Sequence, residues 1–76
     1  MNNKRRKQIG AVVGAIAAAR DELEQIADGE QDAFDNLPEA LQESERGLAS
    51  ERAAESLYDA AAEIGSVLVD IEFVTD

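Results

Sequence analysis

The sequence predicts an all-α fold, an antiparallel helical hairpin with a short helical connector. Three observations lead to this prediction. Apolar side chains recur at helical spacing over residues 5–34, helix-breaking residues cluster at 35–39, and helical spacing resumes over residues 50–72. Since 76 residues suffice for one domain, we predict a single helical domain spanning residues 1–76.

The first predicted helix spans residues 5–34 and follows a flexible basic start at residues 1–4. Its apolar side chains follow the i, i+3, i+4, i+7 spacing of an amphipathic helix. They are Ile9, Val12, Val13, Ile16, Ala19, Leu23, Ile26, Ala27 and Phe34. Gly10 and Gly14 lie off this stripe. The first turns are therefore small or apolar on all sides, which favours burial within an oligomer.

The connector is predicted at residues 37–46 because of the residues that precede and open it. Pro38 does not fit a helix interior but fits a first turn. Asn36 is a suitable N-cap, and Glu39, three residues later, would complete a capping box.

A conflict of helical phase predicts a second break. On one straight helix, Leu48 would fall roughly opposite Leu57. A break near Gly47, with Ser50 as a new N-cap, removes the conflict. The second long helix is therefore predicted at residues 50–72.

The small core of such a hairpin predicts self-association. The chain has two Phe, one Tyr and no Trp or Cys, so its core must be aliphatic and without disulfides. Domains of this size are marginally stable alone, and we expect a homodimeric helix bundle resembling a coiled coil. The candidate self-association residues are Ile9, Val12, Val13, Ile16, Leu57, Ile64 and Leu68.

Charge is distributed unevenly within a net charge of −10. Residues 1–20 hold five basic side chains and no acid, whereas residues 21–76 hold all 17 acids and two arginines. An acidic surface repels nucleic acid and favours basic partners or solubility. We therefore expect no direct nucleic-acid binding.

Two series of acids recur every fourth residue, a spacing that places like charges side by side on a helix at a cost of roughly 0.2–0.5 kcal/mol per pair. They are Glu24, Asp28 and Asp32 in the first helix and Glu51, Glu55, Asp59 and Glu63 in the second. The second series centres opposite the predicted core, as an ordinary solvated face would. Its rise of about 6 Å per step could also imitate the charges of a DNA backbone. These seven acids are the candidate partner-binding face.

The residue types argue against catalysis. The chain has no histidine, no glycine-rich phosphate loop and no glycine-flanked serine, so we expect neither enzyme activity nor a cofactor. One spacing matches a calcium-binding loop, namely Asp28, Glu30, Asp32, Phe34, Asn36 and Glu39. However, Ala33 occupies the position of the required glycine and Pro38 precedes the last ligand. We expect no metal site.

The N-terminal segment has the layout of a secretory signal, since the basic residues 4–7 precede the apolar run Ile9–Ala19. This run is shorter than the roughly 20 residues that span a bilayer, and Met1 is retained. We expect a cytoplasmic protein without membrane association. A separate hypothesis is that residues 1–19 bind a membrane surface.

The segment Glu30–Gly47, EQDAFDNLPEALQESERG, resembles a motif of small acidic helical proteins encoded by bacteriophages and bacterial mobile elements. Those proteins similarly open with a Lys/Arg cluster and close with a long acidic helix. The resemblance covers most of the chain, and Asn36–Glu39 and Leu41–Arg46 are its specific parts. It implies a phage or prophage accessory protein acting in the host cell and implies no particular activity. This chain differs in its higher alanine content.

Together these features predict a non-enzymatic protein-interaction protein. The alternative is a DNA mimic that inhibits a nucleic-acid-binding host enzyme, as an anti-defence or anti-CRISPR protein does.

Overall fold

The computed structural model describes residues 1–75, with only the backbone of Thr75 included. Within this range it contains three helices: α1 (Asn3–Asp35), α2 (Glu39–Gln42) and α3 (Glu45–Thr75). Helices α1 and α3 pack against each other as an antiparallel pair, and α2 forms part of the turn between them. The molecule measures 59 × 15 × 13 Å. The prediction of an all-helical hairpin is confirmed.

The two long helices meet along a seam with the periodicity of an antiparallel coiled coil. In each helix the inward-facing residues alternate in spacing between three and four. In α1 they are Ile9, Val13, Ile16, Arg20, Leu23, Ala27, Glu30 and Phe34. In α3 they are Gly47, Ser50, Ala54, Leu57, Ala61, Ile64, Leu68 and Ile71. All of these residues are buried or half-buried.

Small side chains dominate the middle of the seam. Among hydrophobic residues with described side chains, the buried ones are Ala27, Ala54, Ala61 and Leu68. The distance between packed helices depends on the side chains at their contact, so these alanines allow a close approach. Because they are small, these alanines bury little apolar area when the two helices pack.

The turn differs from its prediction because α3 begins at Glu45 and continues through Gly47 and Ser50. The N-cap is Ser44, whose Oγ accepts a hydrogen bond from the Gly47 N–H at 3.3 Å. Gly47 is buried against the turn, and a Cβ there would lie 2.3 Å from the Gln42 carbonyl oxygen. The glycine therefore permits close packing and does not end a helix.

The predicted connector is also shorter than residues 37–46. Asn36 is the C-cap of α1, and its N–H donates to the Asp32 carbonyl oxygen at 2.9 Å. The predicted capping box is wrong, because α2 begins at Glu39 after Pro38 without a side-chain cap. With the break at residues 43–44, Leu48 lies partly exposed beside the turn.

Both chain ends are more helical than predicted. The Asn2 side chain caps α1 by accepting a hydrogen bond from the Arg5 N–H at 2.8 Å, and Asn3 and Lys4, predicted in the flexible start, are helical. Helix α3 extends to Thr75, and its Phe73 side chain is exposed.

Candidate protein-interaction surfaces

One broad side of the hairpin gathers acids from both long helices. We call it the acidic face and define it by Glu24, Asp28 and Asp32 of α1 and Glu51 and Glu55 of α3, around Tyr58. The Tyr58 hydroxyl donates a hydrogen bond to the Asp28 carboxylate across the seam. Glu55 precedes Tyr58 by three residues and Glu51 by seven, so both lie on the same side of α3 as the tyrosine.

The electrostatics of this face change the pKa of Tyr58. Its hydrogen bond to Asp28, desolvation, and the charges of Asp28, Asp32 and Glu24 together raise the pKa of Tyr58 to about 12. The phenol therefore stays protonated, and continues to donate, up to a pH of about 12 instead of 10. This contact joins α1 to α3 on a side where carboxylates otherwise repel one another.

The acids of this face form no ion pair with a basic side chain in the described part of the hairpin. Within residues 1–75, none of Glu24, Asp28, Asp32, Glu51 and Glu55 has a Lys or Arg nitrogen within 4.0 Å. An ion pair elsewhere joins the half-buried Arg20 to the exposed Asp21 at 3.2 Å. The negative charge of the acidic face is thus directed at solvent or at a partner.

The acidic series of α3 winds around its helix. Four residues advance by about 40° more than a full turn, so successive acids change direction. Glu51 is half-buried beside Tyr58, and Asp59 is exposed on the outer side of α3. Glu63 lies four residues before Val67, on the opposite broad side. The four predicted acids of α3 therefore do not form one straight line along the helix.

The side opposite the acidic face carries an apolar stripe that follows both helices. In α1 it consists of residues spaced seven apart, namely Val12, Ala19, Ile26 and Ala33. In α3 it consists of Ala53, Ala60, Val67 and Val74, with the same spacing. The larger members are exposed, with Ile26 at 56% and Val67 at 48%. We call these eight residues the apolar stripe.

The apolar stripe opens into a groove at the end of the hairpin that holds both termini. Gln8, Ile9 and Val12 of α1 and Ile71 and Val74 of α3 line it, and its volume is about 330 Å³. The groove shows that Val12 and Val74 face the same side of the molecule. The basic residues 4–7 lie in the first two turns of α1, beside this groove.

The structure places most of the predicted self-association residues inside the hairpin. Val13, Ile16, Leu57 and Ile64 are half-buried in the seam, and Leu68 is buried there. Ile9 is half-buried at the open end, whereas Val12 is more than half exposed. Since the others already pack between α1 and α3, Val12, a member of the apolar stripe, is the one of these seven residues left largely exposed for a second chain.

The calcium-like spacing lies mostly within a continuous helix. Asp28, Glu30 and Asp32 belong to α1, which runs to Asp35, so no loop brings them around a common point. Among the residues that the structure describes, no group of three or more acids is arranged to hold a metal ion.

No helix in the described part is long and apolar enough to cross a membrane.

Comparisons with protein-family models, with curated proteins and with solved structures found no match for this chain.

Sequence reasoning missed two features of these surfaces. It did not assign a role to Tyr58, because the partner Asp28 is 30 residues away. It also merged Val12 and Val13 into one apolar face. Two parallel seven-residue repeats, one through Val13 and one through Val12, could have separated the seam from the apolar stripe.

Proposed function

We propose that this chain is a non-enzymatic protein-interaction protein that binds a basic protein surface through its acidic face. The observation that carries the proposal is the convergence of acids from two helices around Tyr58, none of them ion-paired to a Lys or Arg among the described residues. Repulsion among these acids destabilises the hairpin slightly. The basic side chains of a partner rich in Lys or Arg would relieve this repulsion. We further propose that the chain assembles as a dimeric helix bundle.

The resemblance of Glu30–Gly47 supports a phage or prophage accessory protein, which would meet its partner in the cytoplasm of a bacterial host. That segment comprises the end of α1, α2 and the start of α3. It adjoins the acidic face at Asp32 and Glu51, so a partner bound to the acids would lie close to the turn.

A pull-down from bacterial lysate at two salt concentrations tests the acidic face. The test variant is Glu24→Gln/Asp28→Asn/Glu51→Gln/Glu55→Gln. A control with the same net charge neutralises four exposed acids away from the acidic face and the turn, as Glu22→Gln/Asp59→Asn/Glu63→Gln/Asp70→Asn. We expect proteins retained at low salt to be lost from the test variant and kept by the control, because contacting charges act at short range. Equal retention by both variants would refute the proposal.

Mimicry of DNA is the second candidate function, because acids of α1 and α3 lie side by side on the acidic face around Tyr58. Glu24 and Asp28, four residues apart, are separated by about 6 Å along the helix axis. A partner captured through a DNA-binding cleft should be released by excess duplex DNA at constant ionic strength. A partner that stays bound under these conditions argues against mimicry and leaves the first proposal intact.

A further inference from the structure

The hairpin exposes more surface than a compact protein of its mass. Its accessible surface is 5621 Å², whereas a compact monomer of 8.2 kDa exposes about 4,500 Å². The excess of about 1,100 Å² is comparable to the roughly 800 Å² that each partner buries in a stable interface. The apolar stripe runs the length of the hairpin and offers surface for such an interface.

Large and small side chains alternate along the apolar stripe of α1, so they would face each other if a second copy were reversed end to end. From the open end to the turn, α1 presents Val12, Ala19, Ile26 and Ala33. If a second hairpin is stacked on the first and reversed end to end, Val12 meets Ala33 and Ala19 meets Ile26. Each large side chain then lies against a small one, as interdigitated packing requires.

The stripe of α3 shows the same complementarity. In the reversed pair, Val74 meets Ala53 and Val67 meets Ala60. In a pair stacked with both open ends together, Val12 would instead meet Val74, and Ala33 would meet Ala53. That orientation brings large against large at one end and small against small at the other.

The charge distribution favours the same orientation. Residues 1–20 carry five basic and no acidic side chains, whereas residues 21–65 carry fourteen acids and two arginines. Reversal places the basic residues 4–7 of each copy near the turn of the other, where Glu39, Glu43 and Glu45 are exposed. Glu22 and Glu63 border the middle of the stripe and remain at its solvated rim, where salt screens them.

We propose that a second copy of this chain covers the apolar stripe, stacked face to face and reversed end to end. Helix α1 then packs on α1 of the second copy and α3 packs on α3, which forms a four-helix bundle. The inference rests on the proposed dimeric assembly and specifies its face and orientation. The acidic face points outward from both sides of the bundle.

Two valines of α3 provide a matched test of the face. Val67 lies in the apolar stripe and is 48% exposed, and Val69 lies on another side of the same helix and is 50% exposed. Sedimentation equilibrium should show that Val67→Asp weakens dimerisation by at least about a hundredfold, since an unpaired charge becomes buried. Val69→Asp should leave the dimer intact, and circular dichroism should show both variants to be helical.

Disulfide trapping tests the orientation, because the natural chain has no cysteine. Ala19→Cys and Ile26→Cys variants, unfolded together and refolded as a mixture, should form a mixed disulfide across the proposed interface. Neither variant alone should cross-link, since equivalent positions lie seven residues apart along the bundle. The mixture of Ala19→Cys with Val67→Cys should not cross-link.

The outcomes separate the two levels of the inference. A wild-type chain that stays monomeric at high concentration would refute both the dimer and this interface. A dimer equally sensitive to both valine changes would refute the face alone, and the trapping of residue 19 to residue 67 would refute the orientation. The pull-down of the acidic-face variant is independent of all three results.

Discussion

At the scale of single residues, Gly47 makes the tightest contact of the turn. A Cβ at this position would lie 2.7 Å from the Leu41 carbonyl oxygen and closer still to that of Gln42. Both neighbours are backbone atoms and cannot rotate away. Gly14, in the middle of α1, has open space where its Cβ would be.

We therefore expect opposite effects from the same substitution at these two glycines. Gly47→Ala should lower the free energy of unfolding by about 1–3 kcal/mol through overpacking. Gly14→Ala should raise it by up to about 1 kcal/mol through helix propensity. Urea unfolding at one protein concentration measures both. A stabilising Gly47→Ala change would contradict the described packing of the turn.

The titration of Tyr58 tests the acidic face at the same scale. The pKa of about 12 in the folded chain exceeds the ordinary value of 10.0, so the contact stabilises the fold fully below pH 10. This contribution is lost as the pH rises through about 12. Because Tyr58 is the single tyrosine and there is no tryptophan, phenolate absorbance reports it directly.

In that titration, Asp28→Asn should move the pKa of Tyr58 toward 10, because it removes the hydrogen-bonded carboxylate. Asp59→Asn should change it little, although Asp59 is adjacent in sequence. A wild-type transition centred near 10 would show that Tyr58 and Asp28 are not paired.

At the scale of the elements, the start of α3 distinguishes the observed turn from the predicted one. Ser44 caps α3, whereas Ser50 lies within it. Ser44→Ala should cost about 1 kcal/mol of stability, the usual loss for an N-cap. Ser50→Ala should cost less, because alanine is favoured in a helix interior. Thermal unfolding at matched concentrations measures the difference. A larger loss from Ser50→Ala than from Ser44→Ala would support the predicted helix break near Gly47 instead of the observed turn.

The seam can be tested with two neighbouring alanines. Ala61 is 2% exposed against α1, while Ala62 is exposed. Ala61→Leu should destabilise the hairpin by about 1–3 kcal/mol, since the closely packed helices must separate. Ala62→Leu should change stability by less than about 0.5 kcal/mol. Equal effects in denaturant unfolding would mean that the two helices do not meet at Ala61.

The elements themselves were predictable because helical periodicity and Pro38 are local signals. The helix boundaries were less predictable, since Gly47 and Ser50 each fit either a helix end or a helix interior. The surfaces depended on register between distant segments. Val12 and Val13 are adjacent and equally apolar, and the pairing of α1 with α3 places Val13 in the seam and Val12 outside it.

At the scale of the whole molecule, shape follows from the thin seam. A single layer of side chains, with alanines in its middle, holds together two helices of more than 30 residues each. The radius of gyration is therefore 17.3 Å, against about 11 Å for a compact domain of this length. An elongated molecule gains contact area most effectively when a second copy lies alongside it.

This shape leads to a prediction for small-angle scattering. Stacking two hairpins with their layers 8–10 Å apart should raise the radius of gyration only to about 18 Å while doubling the mass. The increase is small because the length of 59 Å, and not the width, dominates the radius. The Val67→Asp variant should retain about 17 Å with half the forward scattering per unit mass concentration. A dimer with a radius above 25 Å would be joined end to end, and its apolar stripe would then remain uncovered.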